Sequence, residues 1–399
     1  MTRAADRWLL PEGVEEVLPP QALKLETLRR ELLDLYRGWG YEFIITPLLE
    51  YLDSLLVGSS HELDLHTFKV TDQLSGRMMG VRADITPQVA RIDAHNLNRQ
   101  GPVRLCYADN VMHTRPRGLL TSRVPIRIGA ELFGHASVAC DIELIDLMGR
   151  TLQQAKIGPI HIVLGHVGIF RSLVAASGLD EEAEHELFDI MQRKAFGEID
   201  SWLAARVDND SLRSMLRELA RLSGGVDVLA RARELLVEAP AAVQTALADL
   251  QQITDGIRQR QPDVTLGFDL SELRGYRYHT GLVFAAYTPG YGRSVAKGGR
   301  FDDIGRVFGR ARPASGFDAD LKLLARLSAR EEEPRNVVLA PSGDDPALQA
   351  LIERLRGEGE VVVVHLDAQE PSESLLEELN CHRRIVPGSA GQEWRVVDL

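Results

Sequence analysis

Leu25, Leu28, Leu32, Leu35 and Trp39 recur at spacings of three and four, which predicts an amphipathic helix with one buried face. Pro11, Pro19 and Pro20 punctuate its entry, and Gly38 and Gly40 mark its end. Residues 41–50 read as a short strand stopped at Pro47. From residue 67 to 84 the pattern is strand, Ser75-Gly76 turn and strand, a hairpin. Thr86-Pro87 reads as a helix start, with threonine as N-cap and proline at the first helical position. Residues 103–109 and 126–134 alternate as strands around a polar loop, residues 113–123. A helix is predicted over 140–155 and a strand over 161–164.

The character changes between roughly 178 and 262. Leu187, Ile190 and Met191, then Leu212, Met215 and Leu219, then Val243, Leu247, Leu250 and Ile253 keep helical spacing without a convincing strand. This is an all-helical insertion, because alternating strands resume at Leu266, Phe268 and Leu270 and again over 282–287. The acidic run 331–334 reads as a linker. Residues 335–399 then repeat strand, helix, strand, a small α/β domain. Mixed helices and strands with antiparallel hairpins make the domain over 1–330 α+β.

Composition narrows the class more than the function. Hydrophobic residues at 44% and charged ones at 26% exclude wholesale disorder. No window approaches the roughly 18 apolar residues a membrane span needs, and the N-terminus lacks a signal peptide's apolar run. Cys106, Cys140 and Cys381 form neither a disulfide framework nor a CxxC pair, which suits a reducing cytoplasm. A net charge of −12 removes the nonspecific electrostatic route to nucleic acid, and aromatics at 6% leave few base-stacking platforms. Neither nucleic acid nor membrane is an expected partner.

Four segments gather polar residues. Arg82-Ala-Asp-Ile-Thr86 sets Asp84 and Thr86 at a helix N-terminus, where they either hold a charged ligand or simply cap the helix. In Gly129-Ala-Glu-Leu-Phe-Gly134, Glu131 sits between apolar neighbours. Pointing inward, it needs a cation such as Arg127, Arg274 or a ligand amine; pointing outward, it is a surface acid. Leu273-Arg-Gly-Tyr-Arg-Tyr-His-Thr-Gly281 packs Arg274, Tyr278 and His279 between glycines, a composition suited to gripping a carboxylate and lining a small-ligand pocket. Ala296-Lys-Gly-Gly-Arg-Phe-Asp302 allows close backbone approach or a bulged hairpin. His61, His66, His113 and His166 lack metal-ligand spacing, and no phosphate-binding glycine loop is present, so no metal or cofactor is expected.

Taken in order over about residues 8–328, these segments resemble the core of histidyl-tRNA synthetase, a class II aminoacyl-tRNA synthetase. Residues 39–50 are similar to the family's first motif, which builds its dimer interface. Arg82 to Thr86 falls at its Arg-Pro-Glu-x-Thr, Arg274-Gly-Tyr-Arg-Tyr-His279 at its histidine-recognition segment, and Gly298-Gly-Arg-Phe-Asp302 at its Gly-Gly-Arg-Tyr-Asp. The resemblance implies a class II antiparallel sheet flanked by helices. It breaks where ATP chemistry is done. Met112 and His113 stand at the second motif's Phe-Arg, Arg115 at its glutamate, and Leu323 at the third motif's arginine. Losing one such charge-stabilising donor costs about two to three orders of magnitude in rate, and Asp318 and Asp320 would repel phosphate. The tail is also shorter than an anticodon-binding domain.

A paralogue family with this profile is the regulatory subunit of ATP phosphoribosyltransferase, which Arg274-Gly-Tyr-Arg-Tyr-His-Thr-Gly281, Arg82-Ala-Asp-Ile-Thr-Pro-Gln88 and Leu164-Gly-His-Val-Gly168 resemble specifically. That resemblance implies a chain without catalysis of its own. It would dimerise through the class II core, join a short-form catalytic subunit in a hetero-octamer, and relay feedback inhibition by histidine. Histidine would sit among Asp84, Thr86, Glu131, Arg274, Tyr278 and His279. The acids would take its amino group or ring, and Arg274 its carboxylate. Arg127 lies where the synthetase has glutamine, so either the polarity of the pocket has changed or Arg127 pairs with Glu131. The competing readings are an active histidine–tRNA ligase and a free-standing histidine sensor.

Overall fold

Leu28, Leu32 and Tyr36 of the helix Gln21–Gly38 are fully buried, as their spacing requires, and they lie against one face of a nine-stranded sheet. The computed structural model describes residues 8–56, 61–116, 118, 121–273, 275, 276, 278–330, 337–367, 371–388 and 393–399. In space the sheet runs Glu42–Phe43, Val103–Asn110, Ile126–Phe133, Ala314–Asp320, Ala296–Arg300, Leu282–Tyr287, His161–His166, Thr265–Asp269 and Ser223–Gly224. Its pairs are antiparallel except for Glu42–Phe43 with Val103–Asn110 and His161–His166 with Thr265–Asp269.

Strand alternation assigns the two faces. Ile128, Ala130, Leu132, Ile162, Leu164, Phe284, Phe317 and Ala319 enter a single core with the helices Gln21–Gly38, Val138–Gln154, Val167–Ser177 and Ala241–Arg260. On the other face Arg127, Glu131, Gly316 and Asp318 line a cavity, while Val103, Leu105, Tyr107 and Phe133 pack with Ile85, Val89 and Phe301 in a second apolar cluster. Residues 41–50 do not form one strand: Glu42–Phe43 pairs in the large sheet, and after Pro47 the chain pairs again as Leu49–Tyr51 in a separate three-stranded sheet with Phe68–Thr71 and Met78–Val81. Proline lacks the N–H that a continuous ladder needs, so the pairing changes partner there.

The helical block comprises Glu181–Gln192, Phe196–Arg206, Asp210–Leu219, Asp227–Leu235 and Ala241–Arg260. Leu187, Leu203, Leu216, Leu229 and Leu250 all join the sheet's core. The block is not free of strand, since Ser223–Gly224 pairs with Thr265–Asp269. Two residues carry no periodicity for sequence reading to detect.

The chain divides into compact units, residues 1–330 and 331–399. In the second, a four-stranded sheet runs Val361–Val364, Val337–Ala340, Cys381–Pro387 and Trp394–Asp398, parallel across its first two pairs and antiparallel at the last. The helix Pro346–Gly357 buries Leu348 and Ile352 against Val338, Ala340 and Ile385. Val337, Leu339 and Cys381 line the other face. All three cysteines are free and buried. Among the described residues no helix is long and apolar enough to cross a membrane.

Candidate functional site

On the sheet face opposite the core lies a cavity of about 1220 Å³. Asp84, Thr86, Arg127, Glu131, Tyr278 and His279, six of the seven residues singled out in the sequence, all line it. The seventh, Arg274, lies outside the described residues.

Glu131 points inward. It is 1% exposed, and cations are not its protein partners among the described residues. Its Oε1 accepts hydrogen bonds from Thr86 Oγ1 at 2.9 Å and from Tyr107 Oη at 3.2 Å. Thr86 therefore does not cap its own helix. It is the first residue of the helix Thr86–Arg91, the cap position falls to Ile85, which has no polar side chain, and the threonine hydroxyl goes to Glu131. Asp84 does serve the helix start, accepting from Ile85 N at 2.7 Å.

Two glycines make room for this arrangement. A Cβ at Gly129, opposite Tyr107 in register, would stand 2.6 Å from the tyrosine oxygen. A Cβ at Gly316, opposite Glu131, would stand 1.6 Å from Oε2. That buried Oε2 has no hydrogen-bond partner among the described residues, and neither has Tyr278 Oη. Burial, reinforced by the nearby Asp84 and Asp318 carboxylates, pushes the Glu131 carboxyl well above its usual range, against the opposing pull of the two hydroxyls.

Arg127 does not pair with Glu131. Its guanidinium donates to Asp318 Oδ1 at 2.7 Å from the neighbouring strand. Burial disfavours its charge, but Asp318, Asp320 and Asp84 outweigh that and hold it firmly protonated. Asp320 caps the helix Leu321–Leu327 through Lys322 N at 3.0 Å. Of the two positions where the synthetase pattern carries a phosphate-side arginine, His113 is buried with Nε2 3.0 Å from Ala83 O, and Leu323 is buried on the cavity wall.

The loop bearing Tyr278 and His279 is held by the Gly298–Asp302 segment. Thr280 N donates to Arg300 O at 2.8 Å, Asp302 N donates to Thr280 Oγ1 at 3.1 Å, and His279 Nδ1 lies 3.3 Å from Arg300 O. Phe301 stacks on Tyr278 with centroids 5.2 Å apart. Behind the sheet, the Arg300 guanidinium meets Asp141 at 2.8 Å. Burial lowers His279 to about 4, so its ring is neutral at pH 7. On the other side, Tyr276 ties the loop to the helical block: its hydroxyl donates to Glu184 and its ring lies 5.4 Å from Phe188, which itself lines the cavity.

The residue that reading the sequence missed is Tyr107. Its signal was parity, since it stands opposite Gly129 on the cavity face, two residues from Glu131. Arg82 is the converse case. It lies in the first polar segment but is 1% exposed and clamps Thr46 O, Asn110 O and Asp109 rather than the cavity. Among the described residues, none group as a metal site.

Residues 13–324 match the family described as histidyl-tRNA synthetase, and residues 335–397 the one described as the ATP phosphoribosyltransferase subunit HisZ C-terminal domain. A protein of Stutzerimonas stutzeri named ATP phosphoribosyltransferase regulatory subunit is 55% identical over 395 residues, covering 99% of this chain and 98% of its own. One of the same name from Alkalilimnicola ehrlichii is 53% identical over 388 residues, covering 97% and 96%. Among solved structures, an ATP phosphoribosyltransferase regulatory subunit/histidyl-tRNA synthetase from Bacillus halodurans superposes with a TM-score of 0.83 at 26% identity, over 94% of this chain and 97% of that one. A histidyl-tRNA synthetase from Nostoc shares the fold at 20% identity, with a TM-score of 0.80 over 98% and 97%.

Proposed function

The chain belongs to the family of ATP phosphoribosyltransferase regulatory subunits, and from that membership we propose that it binds free histidine in the cavity around Glu131 and relays its presence to a catalytic subunit. It is a regulatory subunit serving histidine biosynthesis, and it is not itself an enzyme. The observation that carries the ligand reading is Glu131 Oε2, a buried carboxylate oxygen above Gly316 with no partner among the described residues. An ammonium group satisfies such an oxygen where a neutral donor does so only in part. Asp84 adds a second carboxylate, and Tyr278 and His279 supply aromatic walls for an imidazole. Arg274 is assigned the ligand carboxylate on the motif alone.

One feature supports self-assembly. Phe43, Ile45, Leu48, Leu49 and Tyr51 are exposed at the end of the large sheet and beside it, with Ile45 75% accessible. A contiguous apolar edge of this kind calls for cover, and we assign it to a second copy of the chain. The cytoplasm is the compartment proposed, consistent with three free thiols. The other partner is the short-form catalytic chain.

Co-expression with that catalytic chain tests the reading. A stoichiometric complex is expected, with phosphoribosyltransferase activity that requires this chain and that histidine inhibits. Failure to co-purify and activate rejects it. The chain with histidine and ATP should give no ATP–pyrophosphate exchange; clear exchange would instead establish a ligase.

A further inference from the structure

Glu131 is served by hydrogen bonds on one side only. Oε1 takes two hydroxyls, while Oε2, equally shut away from solvent, takes none among the described residues. The groups around it come from every element packed against its strand. Asp84 and Thr86 come from the start of the helix Thr86–Arg91, Tyr107 from Val103–Asn110, and Arg127 from its own strand. Asp318 and Asp320 come from Ala314–Asp320, and Tyr278 and His279 from the loop. Lys297 lines the same cavity from Ala296–Arg300 but is solvent-exposed. Four carboxyl groups thus share one buried guanidinium among the described residues, and that guanidinium is turned to Asp318. His279 contributes no charge at neutral pH.

A carboxylate oxygen with neither water nor a donor carries a desolvation cost that binding a proton removes. We infer that Glu131 carries a proton before ligand arrives and surrenders it to solvent when a cationic ammonium docks on Oε2, so that the cavity selects its amino-acid ligand by exchanging one positive charge for another. The exchange balances: the carboxylic O–H bond breaks, its proton leaves as a solvent proton, and the ammonium N–H groups take over as donors to the carboxylate. The burial that pushes this carboxyl upward favours the protonated form. A neutral isostere of the ligand, lacking the ammonium, gains nothing from the exchange. Affinity then rises with pH, by about tenfold per unit, until the carboxyl of the ligand-free protein ionises by itself.

This inference rests on the histidine reading, and the measurements separate the two. Calorimetry of the full chain with histidine at pH 7.5, where the free imidazole is neutral, is run in buffers of different ionisation enthalpy. Release of about one proton per histidine is expected. Infrared difference spectra should show a protonated-carboxyl carbonyl band that histidine abolishes. Isotopic labelling of glutamate assigns that band to Glu131 rather than to Asp141 or Asp320, whose carboxyls burial also raises. Glu131→Gln should abolish the band and cost most of the histidine affinity, because an amide cannot take up the ammonium as a carboxylate does. Binding by the wild-type chain without proton release overturns the inference and leaves the histidine site standing. Absence of the glutamate band overturns it whatever histidine does. A band without any histidine binding rejects the ligand reading instead. The wild-type infrared experiment decides the matter even if the variant fails to fold.

Discussion

Arg127 donates to Asp318 at 2.7 Å across two adjacent strands, and this pairing turns it away from Glu131, four residues further along the same strand, which has no guanidinium partner among the described residues. Among the described residues the cavity is consequently acidic around Glu131, where the proposed ligand's amino group would sit. Both members of the pair are mostly buried, with side chains 16% and 19% exposed, so removing one strands the other.

Arg127→Gln is therefore expected to cost about 3 kcal/mol of unfolding free energy, the range for breaking a buried pair from one side. Adding Asp318→Asn should recover most of that loss. Urea denaturation of the two single variants and the double variant closes the cycle. Additive losses would show that the pair is not coupled.

Gly316 marks the floor beneath the proposed ligand. A methyl group there stands 1.6 Å from Glu131 Oε2, a distance no packing tolerates. Gly316→Ala must displace the carboxylate, and histidine affinity should fall by roughly tenfold to a hundredfold, matching the 1–3 kcal/mol of an overpacking strain. Calorimetry measures the affinity, and circular dichroism checks that the sheet persists. Undiminished affinity would move the ligand away from Glu131.

His279 and His166 bear on acid stability. Burial, the leading cause for both, lowers each ring from 6.5 to about 4. Between these values the unfolded chain binds more protons than the folded one. Each ring's contribution is thus complete above pH 6.5 and is lost as pH falls toward 4, by at most about 1.4 kcal/mol per pH unit. Glu131, shifted upward, has the opposite sign: its contribution is lost as pH rises. His279→Gln should lose less stability than wild type between pH 7 and pH 5, a comparison in which the unchanged carboxyl groups cancel. An equal loss would show that the ring titrates in the native state as it does in the unfolded chain, so that burial does not lower it.

Much of this protein is written locally. The spacing of Leu25, Leu28 and Leu32 fixes a helix and its buried face. The alternation through Ile126–Phe133 fixes that Arg127 and Glu131 share one face and Ile128 and Ala130 the other. The motif order carries the family. The segments around Asp84, Glu131 and His279 were each recognisable because their composition is odd for the elements they sit in.

What only the tertiary structure decided is who meets whom. Thr86 has the sequence of an N-cap, yet its hydroxyl goes to a residue 45 positions away. Arg127 was open to Glu131 or to a changed polarity, and its partner lies 191 positions away. Arg82 has the composition of a ligand-binding residue and serves as a clamp on Thr46 and Asp109. Periodicity assigns a residue to a face from its immediate neighbours, but strand order is set by the whole core. Because Ile126–Phe133 lies between the nearby Val103–Asn110 and the sequence-distant Ala314–Asp320, the partner of Arg127 comes from a contact that no local pattern encodes.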